Sequence, residues 1–269
     1  MAAAPYARKS VVLTGATSGI GRALALTLAR QRPRLALAAR DTESLADVAD
    51  ECRALGAEAI VVPTDVTDPS AAAFLIETAA SAYGGIDVLV NNAGVSMIAR
   101  FDEVTDLSVF ESLMRVNYLG CVYLTHHALP YLKASRGQIV VMASLAGLTG
   151  VPTRTGYAAS KHAVIGFYDS LRIELAGSGV DVTVIAPDFV LSEIHRRSLG
   201  PDGRPVGQSP MQEARLMTAE ECAGRTLRAM ERRQRMAILS ARGRWGRLVR
   251  LIAPGVIDRI AARAVREGR

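Results

Sequence analysis

Cysteine is scarce in this 269-residue chain: only Cys52, Cys121 and Cys222 occur, without paired spacing, which excludes a disulfide scaffold and leads us to expect a reducing compartment. No apolar run is long enough for a secretory signal or a membrane span, so a cytoplasmic location is expected. Of the four histidines, His126 and His127 stand in an amphipathic stretch without carboxylate or cysteine companions, and no metal site is expected. Aromatic residues make up 5% of the chain, and no nucleic-acid module or series of stacking rings accompanies its positive charge, which argues against a nucleic-acid partner. No Pro/Ser/Gly-rich linker, repeat or low-complexity tract divides the sequence. With 49% hydrophobic residues, one domain can bury a substantial core.

What is present alternates. Short apolar, β-branched runs near 10–14, 34–39, 58–63, 86–90, 137–142, 180–186 and 235–239 are separated by segments of helical composition. This order predicts an α/β fold, a doubly wound Rossmann-type parallel sheet flanked by helices. The irregular stretch from about 188 to 217, with Gly200-Pro-Asp-Gly203 and Pro205, is predicted to be a substrate loop carrying short helical pieces.

The first run, Ser10 to Thr14, feeds into Gly15-Ala-Thr-Ser-Gly19-Ile-Gly21, after which Arg22 to Arg30 reads as helix. Strand, glycine turn and helix is the order that lets a backbone approach a pyrophosphate at a helix N-terminus. Another buried-type run ends in Asn91-Asn92-Ala93-Gly94, Asn117 falls in a helical stretch, and Gln138 to Met142 leads to Ser144. Tyr157 and Lys161 are four residues apart, on one helical face, where a cation can stabilise a phenolate. Lowering a tyrosine pKa by about three units needs roughly 4 kcal/mol of differential stabilisation. In open α/β sheets ligands bind beyond the carboxyl ends of the strands, so these groups are expected at one edge.

With these motifs in this order, the chain from Ser10 to about Leu239 resembles the short-chain dehydrogenase/reductase family. The resemblance implies that Tyr157 exchanges a proton with the substrate oxygen, Lys161 lowers its pKa and holds the nicotinamide ribose, and Ser144 polarises the carbonyl. It implies that Asn117 anchors a water linking Lys161 to solvent. It places Gly15, Thr17, Ser18, Gly19, Ile20 and Gly21, then Asp65 and Val66, then Asn91, Ala93 and Gly94, and finally Pro187, Val190 and Ser192, together with Tyr157 and Lys161, on the dinucleotide. A homodimer or homotetramer is implied through the helices of Asn117 and Tyr157, where Ala158, Ala159, Ala163 and Gly166 permit close approach or pack on the sheet.

Cofactor choice is argued at the end of the second strand. A carboxylate there would accept the ribose hydroxyls of NAD; the position is Ala39, followed by Arg40, which can fork onto a 2′-phosphate. NADP(H) is therefore expected over NAD(H), unless Asp41 turns inward and opposes the phosphate. Asp188 departs from the family, which usually has glycine after this proline; an aspartate there also resembles the sphingolipid ketoreductase branch.

Met97, Ile98, Leu145, Leu148, Val151, Phe189, Leu191 and Ile194 are candidate walls for a lipophilic ketone or secondary alcohol, of steroid, retinoid or acyl-chain type, or else ordinary packing. From Arg225 to Arg269 there are thirteen arginines against three acids, a local +10 that leaves −4 on residues 1–224. We divide the chain into a catalytic domain, 1–241, and a basic tail, 242–269. In the tail Trp245, Leu248, Val249 and Ile252 form one apolar face, and Val256, Ile257, Ile260 and Ala264 another, with Arg259, Arg263 and Arg266 largely off it. Such helices suit an anionic membrane surface, the inner face included, or packing on the core or a second subunit. Loop and tail together resemble the membrane-associated hydroxysteroid and retinol dehydrogenase branch. Three functions stay open: an NADP(H)-dependent carbonyl reductase or alcohol dehydrogenase, a non-catalytic nucleotide-binding regulator, and a membrane or nucleic-acid adaptor.

Overall fold

A computed structural model describes residues 4–208 and 216–266; the side chains of 264–266, and with them Ala264 of the expected tail face and Arg266 beside it, lie outside the described residues, as does 209–215 of the expected substrate loop. Seven parallel strands are ordered β3-β2-β1-β4-β5-β6-β7. They are β1 (Ser10–Thr14), β2 (Arg34–Ala39), β3 (Glu58–Pro63), β4 (Val88–Asn91), β5 (Gln138–Met142), β6 (Asp181–Ala186) and β7 (Met236–Ile238). All lie within a residue or two of the predicted runs.

The strands read as continuous apolar runs because both sheet faces are covered. Val11 and Leu13 of β1 point to one face and Val12, by the period of two, to the other. The first face is covered by α1 (Gly19–Ala29), α2 (Thr42–Ala54) and α7 (Ala219–Glu231), the second by α3 (Pro69–Tyr83), α5 (Gly120–Ser135) and α6 (Thr155–Glu174). A short α4 (Ser108–Met114) runs through a π-helical turn, Arg115–Leu119, into α5. The tail forms α8 (Ala241–Ile252) and α9 (Pro254–Arg266), broken where Pro254 cannot continue the ladder.

The strand order reverses between β1 and β4, which opens a crevice at their carboxyl ends. Cys52, Cys121 and Cys222 are free and buried, and burial pushes the first two thiols up to about 11 and the third to about 12. Among the described residues, no helix is long and apolar enough to cross a membrane, and no three His, Cys, Asp or Glu side chains gather as a metal site requires.

Candidate active site

One continuous cleft of about 1560 Å³ follows the carboxyl ends of the strands. At its nucleotide end the backbone dictates the shape. Gly15 and Gly19 adopt φ of +66° and +52°, the left-handed region, and a Cβ on Gly21 would fall 1.9 Å from the Gly15 carbonyl oxygen. Gly19 and Gly21 already belong to the first turn of α1, so the glycine motif is helix start as well as loop. Ser18 stands at the N-cap without donating or accepting a cap bond, leaving its hydroxyl and the first N–H groups of α1 open to the cleft. Thr17, Ile20, Ala93, Gly94, Pro187 and Val190 line the same cleft. Ser192 crosses above Gly19, its Cβ 3.1 Å from where a Gly19 Cβ would stand. These features fit a dinucleotide pyrophosphate.

Two adjacent asparagines part company. Asn92, absent from the expected cofactor set, donates from Nδ2 to the carbonyls of Thr14 (2.9 Å) and Gly15 (3.1 Å) and so fixes the turn. Asn91 turns away from the cleft into the core, where its Nδ2 donates to Tyr168 Oη (2.7 Å) and Thr125 Oγ1 (3.2 Å). Strand alternation explains the split, since consecutive side chains leave opposite faces. Thr14 Oγ1 accepts from the N–H of both Asn92 and Ala93, tying the ends of β1 and β4 together.

At the adenosine end, Asp65 and Val66 line the cleft, and Asp65 accepts from Thr67 N and Oγ1. Arg40 is exposed and lines the cleft. Asp41 is occupied: its carboxylate accepts from Ser44 N (3.1 Å) and Ser44 Oγ (2.6 Å), capping α2. Those bonds, with the charge of Arg197, hold its carboxyl below the usual carboxylate range. Arg197, a second cation lining this end, comes from the irregular loop, where no motif singled it out.

In the centre, Tyr157 occupies the first turn of α6, and its hydroxyl has no hydrogen-bond partner among the described residues. Lys161, one turn on and 5% exposed, donates to the Met142 carbonyl at 2.7 Å, and its Nζ lies 5.8 Å from the Tyr157 ring centroid. Ser144 Oγ accepts from Ala146 N at 3.1 Å and keeps its proton available to the cleft. Asn117 is fully buried behind Gly94. Its Oδ1 accepts from Val95 N, and its Nδ2 donates to Val95 O and Ser160 Oγ, each at 2.9 Å. The π-turn sets this side chain between the Gly94 loop and α6, so the amide braces the segment holding Lys161.

The opposite, apolar end of the cleft collects Leu145, Leu148, Val151, Phe189 and Ile194. Met97, Ile98 and Leu191 do not line it. Met97 is fully buried beneath α6, where its Sδ accepts the Gly156 N–H at 3.2 Å; Ile98 N donates to Leu199 O, and Leu191 faces outward. The roof is the tail. Val249, Val256, Ile257, Ile260 and Ala261 line the cleft from above. Gly243 rests on Leu145 so closely that a Cβ would meet its methyls at 2.7 and 2.8 Å.

Asp188, in place of the glycine, ties the roof down: its carboxylate accepts Arg242 Nη2 at 2.9 Å and Nε at 3.1 Å, and Ser240 Oγ at 2.9 Å. Arg250 adds a bond from Nη1 to the Leu148 carbonyl. The tail thus forms part of the cleft, which the split at residue 241 does not convey.

Residues 9–200 match the family model described as short chain dehydrogenase. The chain belongs to the short-chain dehydrogenase/reductase family. It is similar to 11-beta-hydroxysteroid dehydrogenase A of Arachis hypogaea, 34% identical over 94% of this chain and 74% of that protein. Among solved structures, a short-chain dehydrogenase/reductase from Burkholderia phymatum in complex with NAD matches with a TM-score of 0.83 and 28% identity, covering 93% of this chain and 95% of that one. An alcohol dehydrogenase from the archaeon Thermococcus sibiricus complexed with 5-hydroxy-NADP matches with a TM-score of 0.73 and 26% identity, over 86% and 95%. This member of the family is an oxidoreductase, and its solved relatives carry both kinds of nicotinamide nucleotide.

Proposed function

We propose that the chain interconverts a lipophilic ketone or aldehyde and the corresponding alcohol, using NADP(H). The observation that carries the reading is the unengaged Tyr157 hydroxyl beside Ser144 and Lys161 in a cleft whose far end is apolar. A nicotinamide cofactor bound along the glycine turn would supply or accept the hydride. Tyr157 donates its proton to the carbonyl oxygen during reduction and regains one during oxidation. Ser144 donates to the same oxygen, fixing its angle as negative charge develops. Lys161, its ammonium anchored by the Met142 carbonyl, stabilises the phenolate and keeps protons for the ribose. Turnover of a ketone and alcohol panel, run with both nucleotides, tests the reading. Reduction of long-chain or polycyclic ketones with NADPH is expected, and a protein that binds nucleotide yet converts none would overturn it in favour of a regulator.

NADP(H) preference rests on Arg40 and Arg197 facing the adenosine end while Asp41 is turned to its own helix. Arg40→Ala should raise the Michaelis constant for NADPH far more than that for NADH, by about 1.5–3 kcal/mol, as for a charge-assisted hydrogen bond. Equal effects on both would remove the assignment.

The outer side of α8 supports a second proposal, docking on an anionic lipid surface. Leu248, Leu251 and Ile252, which do not line the cleft, are 53, 78 and 88% exposed, among arginines. Immersing each large side chain would contribute roughly 1.5–3 kcal/mol, and each arginine near an anionic leaflet about 1 kcal/mol. Co-sedimentation with anionic vesicles, reversed by high salt, is expected; equal recovery with neutral vesicles at high salt would refute the electrostatic part. For self-association we propose the face of α6 that presents Ala159, Ala163 and Gly166, where a Cβ on Gly166 would meet nothing within 4 Å. Light scattering that returned about 28.6 kDa would refute an oligomer.

A further inference from the structure

Arg154 is the only buried arginine among the described residues, 6% exposed, and it stands three residues before Tyr157 at the N-cap of α6. It has no ion-pair partner there. Its Nη1 donates to Ser96 Oγ at 2.7 Å, Nη2 faces His195 Nδ1 at 3.5 Å, and its guanidinium carbon lies 5.8 Å from the centre of the Phe189 ring. The Val190 carbonyl, 3.1 Å from His195 Nε2, can only accept, so that nitrogen carries the hydrogen and Nδ1 offers its lone pair to the arginine. Ser96, His195 and Phe189 thus surround the guanidinium. A guanidinium has five N–H donors and stays charged even where burial lowers its pKa, as it does here. Among the described residues two of the five have partners, and Arg154 lines the substrate end of the cleft together with Tyr157, Val151 and Phe189.

A desolvated charge without a counter-charge costs stability unless a partner arrives. We propose that Arg154 is the anion-recognition residue of the substrate pocket, and that it receives a carboxylate carried by the otherwise lipophilic ketone or alcohol. The proposal rests on the oxidoreductase reading above and narrows its substrate class to oxo or hydroxy acids with an apolar body. Two parallel N–H···O bonds to a carboxylate would both orient the molecule and discriminate against its neutral analogues, because an ester or amide cannot neutralise the guanidinium.

Calorimetric titration of the wild-type chain with decanoate, decanamide and decanol, with and without NADP⁺, tests the site without any chemistry. Decanoate is expected to bind about tenfold or more tightly than the neutral pair. Arg154→Gln should erase that preference while NADP⁺ binding is unchanged, and Arg154→Lys should keep part of it. In turnover, Arg154→Gln should raise the Michaelis constant for 4-oxodecanoate and leave that for its methyl ester in place.

Equal wild-type affinity for decanoate and decanamide would overturn the proposal. So would an Arg154→Gln chain that loses turnover of acid and ester by the same factor, since the arginine would then act through Tyr157. If Arg154→Gln fails to fold, the wild-type comparison still decides, and Ser96→Ala, which loosens the grip without removing the charge, should weaken decanoate preference. If no ketone reacts while decanoate is preferred, the proposed ketone and alcohol interconversion fails and the anion site stands.

Discussion

At the nucleotide end of the cleft the decisive contacts are made by backbone: glycines in the left-handed region, a Gly21 without room for a methyl, and open N–H groups at the start of α1. At the substrate end they are made by side chains from distant segments, with Leu145 and Phe189 below and Val249 and Ile257 above. Backbone geometry tolerates few sequences, and apolar walls tolerate many of similar volume. One end of the cleft is therefore common to a family and the other belongs to its individual members.

The contrast breaks most sharply at the centre, where the proposed reaction makes both ends depend on one proton. Tyr157→Phe should lower turnover by about 10²–10⁴-fold or more while nucleotide binding and melting temperature stay in place. Near-normal turnover would mean that another group transfers the proton. Next comes the backbone end. Gly21→Ala should abolish measurable nucleotide binding and cost about 1–3 kcal/mol of stability in a denaturant titration, because the added methyl overlaps the Gly15 carbonyl.

Removing the roof sharpens the comparison in the other direction. A chain ending at Ser240 should bind nucleotide normally, yet show a Michaelis constant for lipophilic ketones raised roughly tenfold, as one partly buried large side chain is worth. Loss of both functions together would show that the roof also supports the nucleotide end. The smallest effect belongs to the tie. Arg242→Ala, leaving Asp188 its bond from Ser240, should change ketone affinity by a factor of about two to five, in line with roughly 0.5–1 kcal/mol for a half-exposed ion pair. The difference from wild type should shrink as salt is added.

The same contrast governed what could be read from the sequence. Thr14, the glycines, Ser144, Tyr157 and Lys161 were legible as a set because their order and spacing match the family, and all seven strands were legible because burial on two faces favours apolar runs. Asn91 was expected on the dinucleotide and Asn92 was passed over, the reverse of where the two side chains lie, since only the register of β4 says which amide meets the glycine turn. Met97 and Leu191 carried the right polarity for a pocket wall, but which side of a wall a residue occupies is a tertiary fact. Arg154 and Arg197 passed unnoticed for a related reason. A single arginine in a sequence gives no sign of burial, and both owe their positions to the fold around the irregular loop. Asp188 was legible as a departure and illegible as a tie, because its partners Ser240 and Arg242 lie more than fifty residues away.

That tie has a consequence for inheritance. The roof meets the body of the protein through Asp188, the Leu148 carbonyl and the seat of Gly243 on Leu145, and none of these touches the glycine turn. A lineage can thus exchange or reshape residues 241–266 and acquire a new diet while its hydride-handling parts descend unchanged, so long as the aspartate and its arginine are passed on together.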